Sequence, residues 1–273
     1  NCIFAGGVAQ NIKACKSLIE LPIVDSLWTP PIAGDGSLGI GAAWLASIEL
    51  RPDIKIAGIT SIYMGTAYDA TDIEGAIRNS NISQSFSIIE QPTSERVADW
   101  LTENKIVARY SGKMEFGQRA LGNRSILADP RQIVMIDHIN RKIKKRDFWM
   151  PFTPSMTFED SQIMLENPKS IYSPFMTMAF DLKPEFVDKI PAALHPADKT
   201  VRPQMLRQED NPGYYNIISA FRDKTGIGCV LNTSFNLHGE PIVESPSDAI
   251  STFERSEIDV LLFDEYAISR TNH

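Results

Sequence analysis

Histidine and cysteine are scarce in this chain of 273 residues, and where they fall closes off several chemistries. The four histidines, His138, His195, His238 and His273, are never four residues apart. Neither H-x-x-x-H nor H-E-x-x-H is therefore present, and the usual imidazole pair of a metal site is lacking. Cys2, Cys15 and Cys229 are odd in number and show no C-x-x-C spacing. That argues against a disulfide framework or a cysteine zinc site and makes a reduced, cytoplasmic protein the expectation. No G-x-x-x-x-G-K-[ST] loop and no G-x-S-x-G elbow occurs, which excludes a P-loop nucleotidase and an α/β-hydrolase nucleophile. Long apolar runs are missing as well, so no membrane span is expected, and the first residues carry no basic-then-apolar signal segment. Lys and Arg total 27 against 34 Asp and Glu, and the net charge of −7 argues against generic nucleic-acid binding.

What is present reads as alternating α and β segments. Residues 2–8 suggest a strand that runs into the Gly6-Gly7 turn, followed by a helix from Ala9 to Leu21 and a short strand from Ile23 to Trp28. After Thr29-Pro30-Pro31 comes GDGSLG, which satisfies G-x-G-x-x-G, and then a Gly- and Ala-rich helix from Leu38 to Leu50. As a dinucleotide fingerprint GDGSLG fails on context, because Thr-Pro-Pro precedes it where a strand should feed the turn. The glycines instead free the backbone around Asp35, and the small residues of the following helix would let it approach a sheet or ligand closely. Residues 51–92 are less decisive, with a connecting helix at 69–79. A new alternation follows: strand 86–90, helix 94–104 with Ser94 as N-cap, strand 105–110, strand 228–231, helix 246–254 and strand 260–263. A chain that opens on a buried strand and a glycine turn reads as a piece of a longer protein.

The densest polar constellation is SGKMEFGQRALGNRSILADPR, residues 111–131, where glycines and arginines interleave with small apolar side chains. Arginine forks bind phosphate or carboxylate bidentately, and glycines let backbone N–H groups reach an anion. A structural arginine network is the alternative. Downstream, NRKIKKRD at 140–147 places Lys144 and Arg146 next to the apolar Phe148–Phe152 run, which favours partial burial for these two. Asp198, Thr200 and Arg202 share one short loop, and LNTSFN at 231–236 ends a buried strand in amides and hydroxyls. Such groups either hydrogen-bond a polar ligand or satisfy a turn.

Six segments in order, GGVAQN at 6–11, GDGSLGIGAA, MEFGQRALGNRSILADPR, K-x-R-D…PFTPS at 144–155, D-x-T-x-R-x-Q at 198–204 and LNTSFN…GEPIV, resemble the C-terminal part of NodU/CmcH-type O-carbamoyltransferases. Within that pattern Met150 stands where many members carry Arg, and Lys199 where Gly is common. The resemblance implies an α/β and α+β chain: residues 1–75 as the C-terminal segment of an actin-like ATPase-fold (ASKHA) transfer domain, and residues 80–273 as a YrdC-like mixed-sheet α+β domain. It implies that the second domain makes carbamoyl-adenylate from ATP, with Mg²⁺, and carbamoyl phosphate. The actin-like domain would then pass the carbamoyl group to a small-molecule hydroxyl acceptor beside Fe²⁺ or another divalent metal, in the full-length enzyme. Mapped residue by residue, Arg119, Arg124, Lys144, Arg146 and Arg202 become the catalytic cations. Asn232, Thr233 and Ser234 become carbamoyl or adenylate contacts, Gly6, Gly7 and Asn11 nucleotide contacts, and Asp35 a metal ligand whose partner ligands belong to the N-terminal half of the same protein. The competing expectation is a non-catalytic nucleotide-binding module of the same fold.

Overall fold

Strand-forming runs separated by capped helices assemble into one large sheet and one small one. The structure, a computed structural model, describes residues 1–59, 61–144 and 151–270. The small sheet pairs β1 (Cys2–Ile3) in parallel with β2 (Leu27–Trp28), and α1 (Ile12–Glu20) connects them. Then come α2 (Leu38–Leu50) and α3 (Ala70–Ser80). The large sheet contains β3 (Ser87–Glu90), β4 (Val107–Tyr110), β5 (Arg124–Ala128), β6 (Thr153–Thr157), β7 (Gln204–Leu206), β8 (Cys229–Ser234), β9 (Val260–Leu262) and β10 (Tyr266–Ser269). Its spatial order is β3-β10-β9-β4-β5-β8-β6-β7. The β4–β9 and β6–β7 pairs are parallel and the others antiparallel, so the sheet is mixed. β4 and β5 are buried along their whole length, Arg109, Arg124 and Ser125 included.

Helices α4 (Ser94–Thr102), α5 (Val134–Ile139), α6 (Phe158–Met164), α7 (Pro184–Val187), α8 (Pro212–Thr225) and α9 (Pro246–Glu254) complete the chain, with α4 against α8 and α3 against α9. Their ends follow capping rules. Asn211 caps α8, Pro212 opens it, and Gly226 ends it in the left-handed region at φ 74°. A reciprocal Ser245–Asp248 capping box starts α9. Helix α4 is capped by Thr93 rather than by the expected Ser94: Thr93 Oγ1 accepts from Arg96 N at 3.2 Å, because the helix begins one residue earlier.

The N-terminal segment shares its core with the large sheet, Cys15, Ile19 and Leu27 joining the same apolar cluster. Polar ties hold α1 in place. Lys169 Nζ donates to the carbonyls of Ile19, Leu21 and Val24, which satisfies groups that a helix C-terminus leaves open. Ala179 N donates to Ile12 O, Lys16 pairs with Asp181 at 2.9 Å, and Lys13 pairs with Asp198.

The Gly/Ala-rich helix α2 has the bounds expected from the sequence but not the environment. None of its residues is buried, Leu38, Leu45 and Leu50 are exposed, and nothing lies within 4 Å of a Cβ placed on Gly39 or Gly41. Gly39 and Gly41 therefore serve no close approach of this helix to another described element. The thiols of Cys2, Cys15 and Cys229 are free, and burial pushes that of Cys229 far above its ordinary value. Among the described residues no helix is long and apolar enough to cross a membrane.

Candidate functional site

The arginine- and glycine-rich segment between β4 and β5 is organised by one buried carboxylate. Glu115 Oε1 accepts three backbone N–H bonds, from Leu121 at 2.7 Å, Asn123 at 2.8 Å and Arg124 at 3.1 Å. A second clamp comes from residues 62–66, which the sequence left undecided. Phe116 N donates to Ile62 O, Gly65 N to Met114 O and Met114 N to Thr66 O, and Tyr63 bridges Glu115 in antiparallel fashion. With its first half pinned outside and its second half drawn onto Glu115, the loop leaves Gln118 exposed and Arg119 half-buried. Glu115→Ala would leave three amides without their acceptor, so a loss of about 3 kcal/mol in urea unfolding is expected; an unchanged midpoint would refute this account of the loop.

The two arginines of that segment part company. Arg124 is completely buried, its guanidinium donating to the carbonyls of Ser111, Asn123 and Gly112 and lying 3.6 Å above the Tyr110 ring. It lies within the protein and is not brought to a cavity with the other candidates. Arg109 is similarly spent, on Gly122 O, Asn123 Oδ1 and Ser111 Oγ. Arg119 has no hydrogen bond or ion pair with any described residue, and burial pulls its pKa below the ordinary guanidinium value.

Arg119 lines a polar cavity of about 110 Å³ together with Gln118, Thr153, Arg202, Asn232, Thr233 and Ser234. Arg119, Phe152, Thr153 and Arg202 also line the adjoining space of about 240 Å³, which reaches Ile12 and Lys13 at the start of α1. Sheet register explains the convergence. Asn232 stands between Leu127 of β5 and Thr153 of β6, and Ser234 pairs with Ser125, so β8 ends in the groove. Lys144 sits behind that end, its ammonium donating to Ser234 Oγ at 3.0 Å, Asn236 Oδ1 at 2.6 Å and the carbonyls of both residues. Asn236 was not singled out from the sequence. Its spacing, two residues after Ser234, was the available signal. Arg146 lies outside the described residues.

The other predicted residues lie apart from this groove. Asn11 Oδ1 caps α1 by accepting from Lys13 N and Ala14 N at 3.1 and 3.2 Å. Gly6, at φ 99°, and Gly7 are solvent-facing, and Gly6 N donates to Ala33 O, which sets that turn beside the loop carrying Asp35. Asp35 is exposed at the start of a 3₁₀ turn. Among the described residues no group of three or more His, Cys, Asp or Glu side chains is arranged to hold a metal ion. A larger cavity, about 400 Å³ near Trp28, Tyr63, Tyr172 and Gln204, contains none of the predicted site residues. The smaller groove has the convergent cations and amides, and chemistry rather than volume singles it out.

Fold and groove together define an α+β protein with a cationic, polar groove at the end of a central strand. The chain belongs to the family described as carbamoyltransferase C-terminus, which it matches over residues 98–270. It is 39% identical over 269 residues to the uncharacterised protein MJ1058 of Methanocaldococcus jannaschii, covering 97% of this chain and 44% of that protein. It is 35% identical over 270 residues to nodulation protein NolNO of Sinorhizobium fredii, covering 97% of this chain and 39% of NolNO. The chain thus spans less than half the length of these relatives. Full-length HypF, solved in a phosphate- and nucleotide-bound form, aligns with 66% of this chain and 24% of its own at 17% identity and a TM-score of 0.38.

Proposed function

We propose that the groove makes carbamoyl-adenylate from ATP and carbamoyl phosphate, and that the YrdC-like reading of residues 80–273 describes the domain that does it. The observation that carries this reading is the convergence of Arg119, Arg202, Asn232, Thr233 and Ser234, from three distant stretches of sequence, on one polar cavity. The reaction balances in two steps. Water cleaves carbamoyl phosphate to carbamate and phosphate; a carbamate oxygen then attacks the α-phosphorus of ATP, and pyrophosphate leaves with the electron pair of the broken P–O bond. Charge grows on phosphoryl oxygens in both steps, and positioned guanidinium groups oppose it without having to reorganise. Arg119 and Arg202 take that role here. Lys144 holds the Ser234–Asn236 turn in place, and Mg²⁺ enters with ATP.

Passage of the carbamoyl group to a hydroxyl acceptor would belong to the actin-like reading of residues 1–75 and the remainder of the full-length protein. Asp35 alone does not fit a metal: it is one exposed carboxylate, and the described residues offer no group of three such ligands to fill a coordination shell. No step is assigned to iron in this chain. The test is incubation with ATP, Mg²⁺ and carbamoyl phosphate, with pyrophosphate and carbamoyl-adenylate as readouts. Carbamoyl phosphate-dependent pyrophosphate is the expected result. ATP binding without either product would replace this reading with that of a nucleotide-binding module.

A further inference from the structure

The first turn of α1 reaches the segment that carries Arg202 by two routes. Ile12 O accepts from Ala179 N at 3.2 Å, and Phe180, which follows, exchanges two backbone bonds of 2.9 Å with Val201, the neighbour of Arg202. Lys13 takes the other route and pairs with Asp198, in the turn just before Arg202. Asp198 organises that turn. Its Oδ1 accepts from Thr200 N at 3.2 Å and from Thr200 Oγ1 at 2.8 Å, and His195 Nδ1 lies 3.1 Å from the same oxygen. His195 N donates to Thr200 O and Lys199 N to His195 O, both at 2.9 Å. Lys199 is held at φ 59°, a left-handed conformation that a residue with a side chain keeps only where its surroundings impose it.

Oδ1 of Asp198 is thus spent inside the turn, whereas Oδ2 has Lys13 as its one partner among the described residues. Turn and helix meet at the groove: Lys13, His195, Thr200 and Arg202 line the cavity of about 240 Å³ together with Arg119. The two side chains are 47% and 38% exposed, so their pairing adds little to global stability. Its effect is local. We infer that Lys13 is a positioning residue of the groove: through Asp198 it fixes the turn that sets Arg202 against the cavity. The N-terminal segment thereby completes a site built mainly on the large sheet. This rests on the catalytic reading of Arg202. A guanidinium that opposes charge growing on phosphoryl oxygens must be in place beforehand, and displacing such a group by about 1 Å costs up to ~100-fold in rate.

A double-mutant cycle on the intact chain tests this, with wild type, Lys13→Met, Asp198→Asn and the double variant assayed for carbamoyl phosphate-dependent pyrophosphate release. Lys13→Met keeps the stem and removes the ammonium; it should lower kcat about 10-fold at an unchanged melting temperature. Lys13→Arg, which can still pair with Asp198, should restore most of the rate. The double variant should be no slower than the slower single one, because both changes break the same link. A lower melting temperature with an unchanged rate per folded molecule would make Lys13 merely structural and overturn the inference. Additive losses overturn it as well, since Lys13 would then act on the ligand without Asp198. Should Asp198→Asn not fold, the loss in Lys13→Met and its rescue by Lys13→Arg decide alone. If the wild type releases no pyrophosphate, the carbamoyl-adenylate reading falls, and the same cycle is read by calorimetric binding of inorganic pyrophosphate. There a non-additive weakening in Lys13→Met supports the inference. Equal binding by wild type and Lys13→Met, or no binding at all, overturns it.

Discussion

Gly122→Ala is expected to be among the most damaging single-methyl additions this protein can receive. Gly122 has φ 117°, a conformation that side chains rarely adopt. A Cβ there would stand 2.4 Å from Cδ1 and 2.8 Å from Cε1 of Tyr214. The ring has nowhere to retreat, because Tyr214 is fully buried in the first turn of α8 with its N–H held by Asn211. Backbone strain and overpacking together set the cost at about 4 kcal/mol or more. A fall of roughly 10 °C in melting temperature would report it. Gly226 is the internal comparison: it also has positive φ, but a Cβ there meets nothing within 4 Å. Gly226→Ala should cost only about 1 kcal/mol, the backbone term alone. Similar melting temperatures for the two variants would show that the Tyr214 contact is not what Gly122 is there to avoid.

The second large effect concerns catalysis and divides two arginines five positions apart in the sequence. Arg119→Ala should lower carbamoyl phosphate-dependent pyrophosphate release by about 100-fold or more, the scale on which loss of one preorganised charge-stabilising group is felt. Folding should be nearly unaffected, since the guanidinium has no described protein partner to lose. Arg124→Ala should do the reverse. It removes a fully buried cation that satisfies the carbonyls of Ser111, Asn123 and Gly112 and covers the Tyr110 ring, so the loss appears first as instability. Measuring melting temperature and product release on both variants resolves the two roles. An Arg119→Ala protein that melts as the wild type does and keeps its rate would remove Arg119 from the site.

Composition alone could not have separated these arginines. Arg119 and Arg124 sit in the same motif with similar neighbours. What distinguishes them is the strand boundary: Arg124 begins β5 and turns inward, whereas Arg119 rides the loop that Glu115 gathers in. Glu115 itself gave no sign of its role, because its three partners are backbone amides, which every residue but proline carries. The 62–66 segment was unreadable for a related reason. It is too short and irregular for hydrophobic period to register, and its function is to pair with residues 114–116 across the fold.

The regular elements were legible wherever a local rule dominates. Helices α2 and α9 begin and end as the sequence reading had them, and β4, β8 and β9 fall within two or three residues of their expected bounds. Strands β5, β6, β7 and β10 were not anticipated, since their runs acquire meaning only from the partners beside them in the sheet, and neither was helix α8, which packs against α4. The same division holds at the groove. Residue types that bind anions, and the segments that carry them, are written in the sequence as arginine forks, glycines and a strand ending in amides. Which of them meet is a matter of non-local pairing: β8 lies between β5 and β6, so Asn232 comes to Ser155 and Ala120, and Arg202 arrives from a loop far along the chain. Local propensity acts over a few residues. The placement of Arg119, Arg202 and Asn232 around one cavity depends on burying a shared core, and only the tertiary structure decides it.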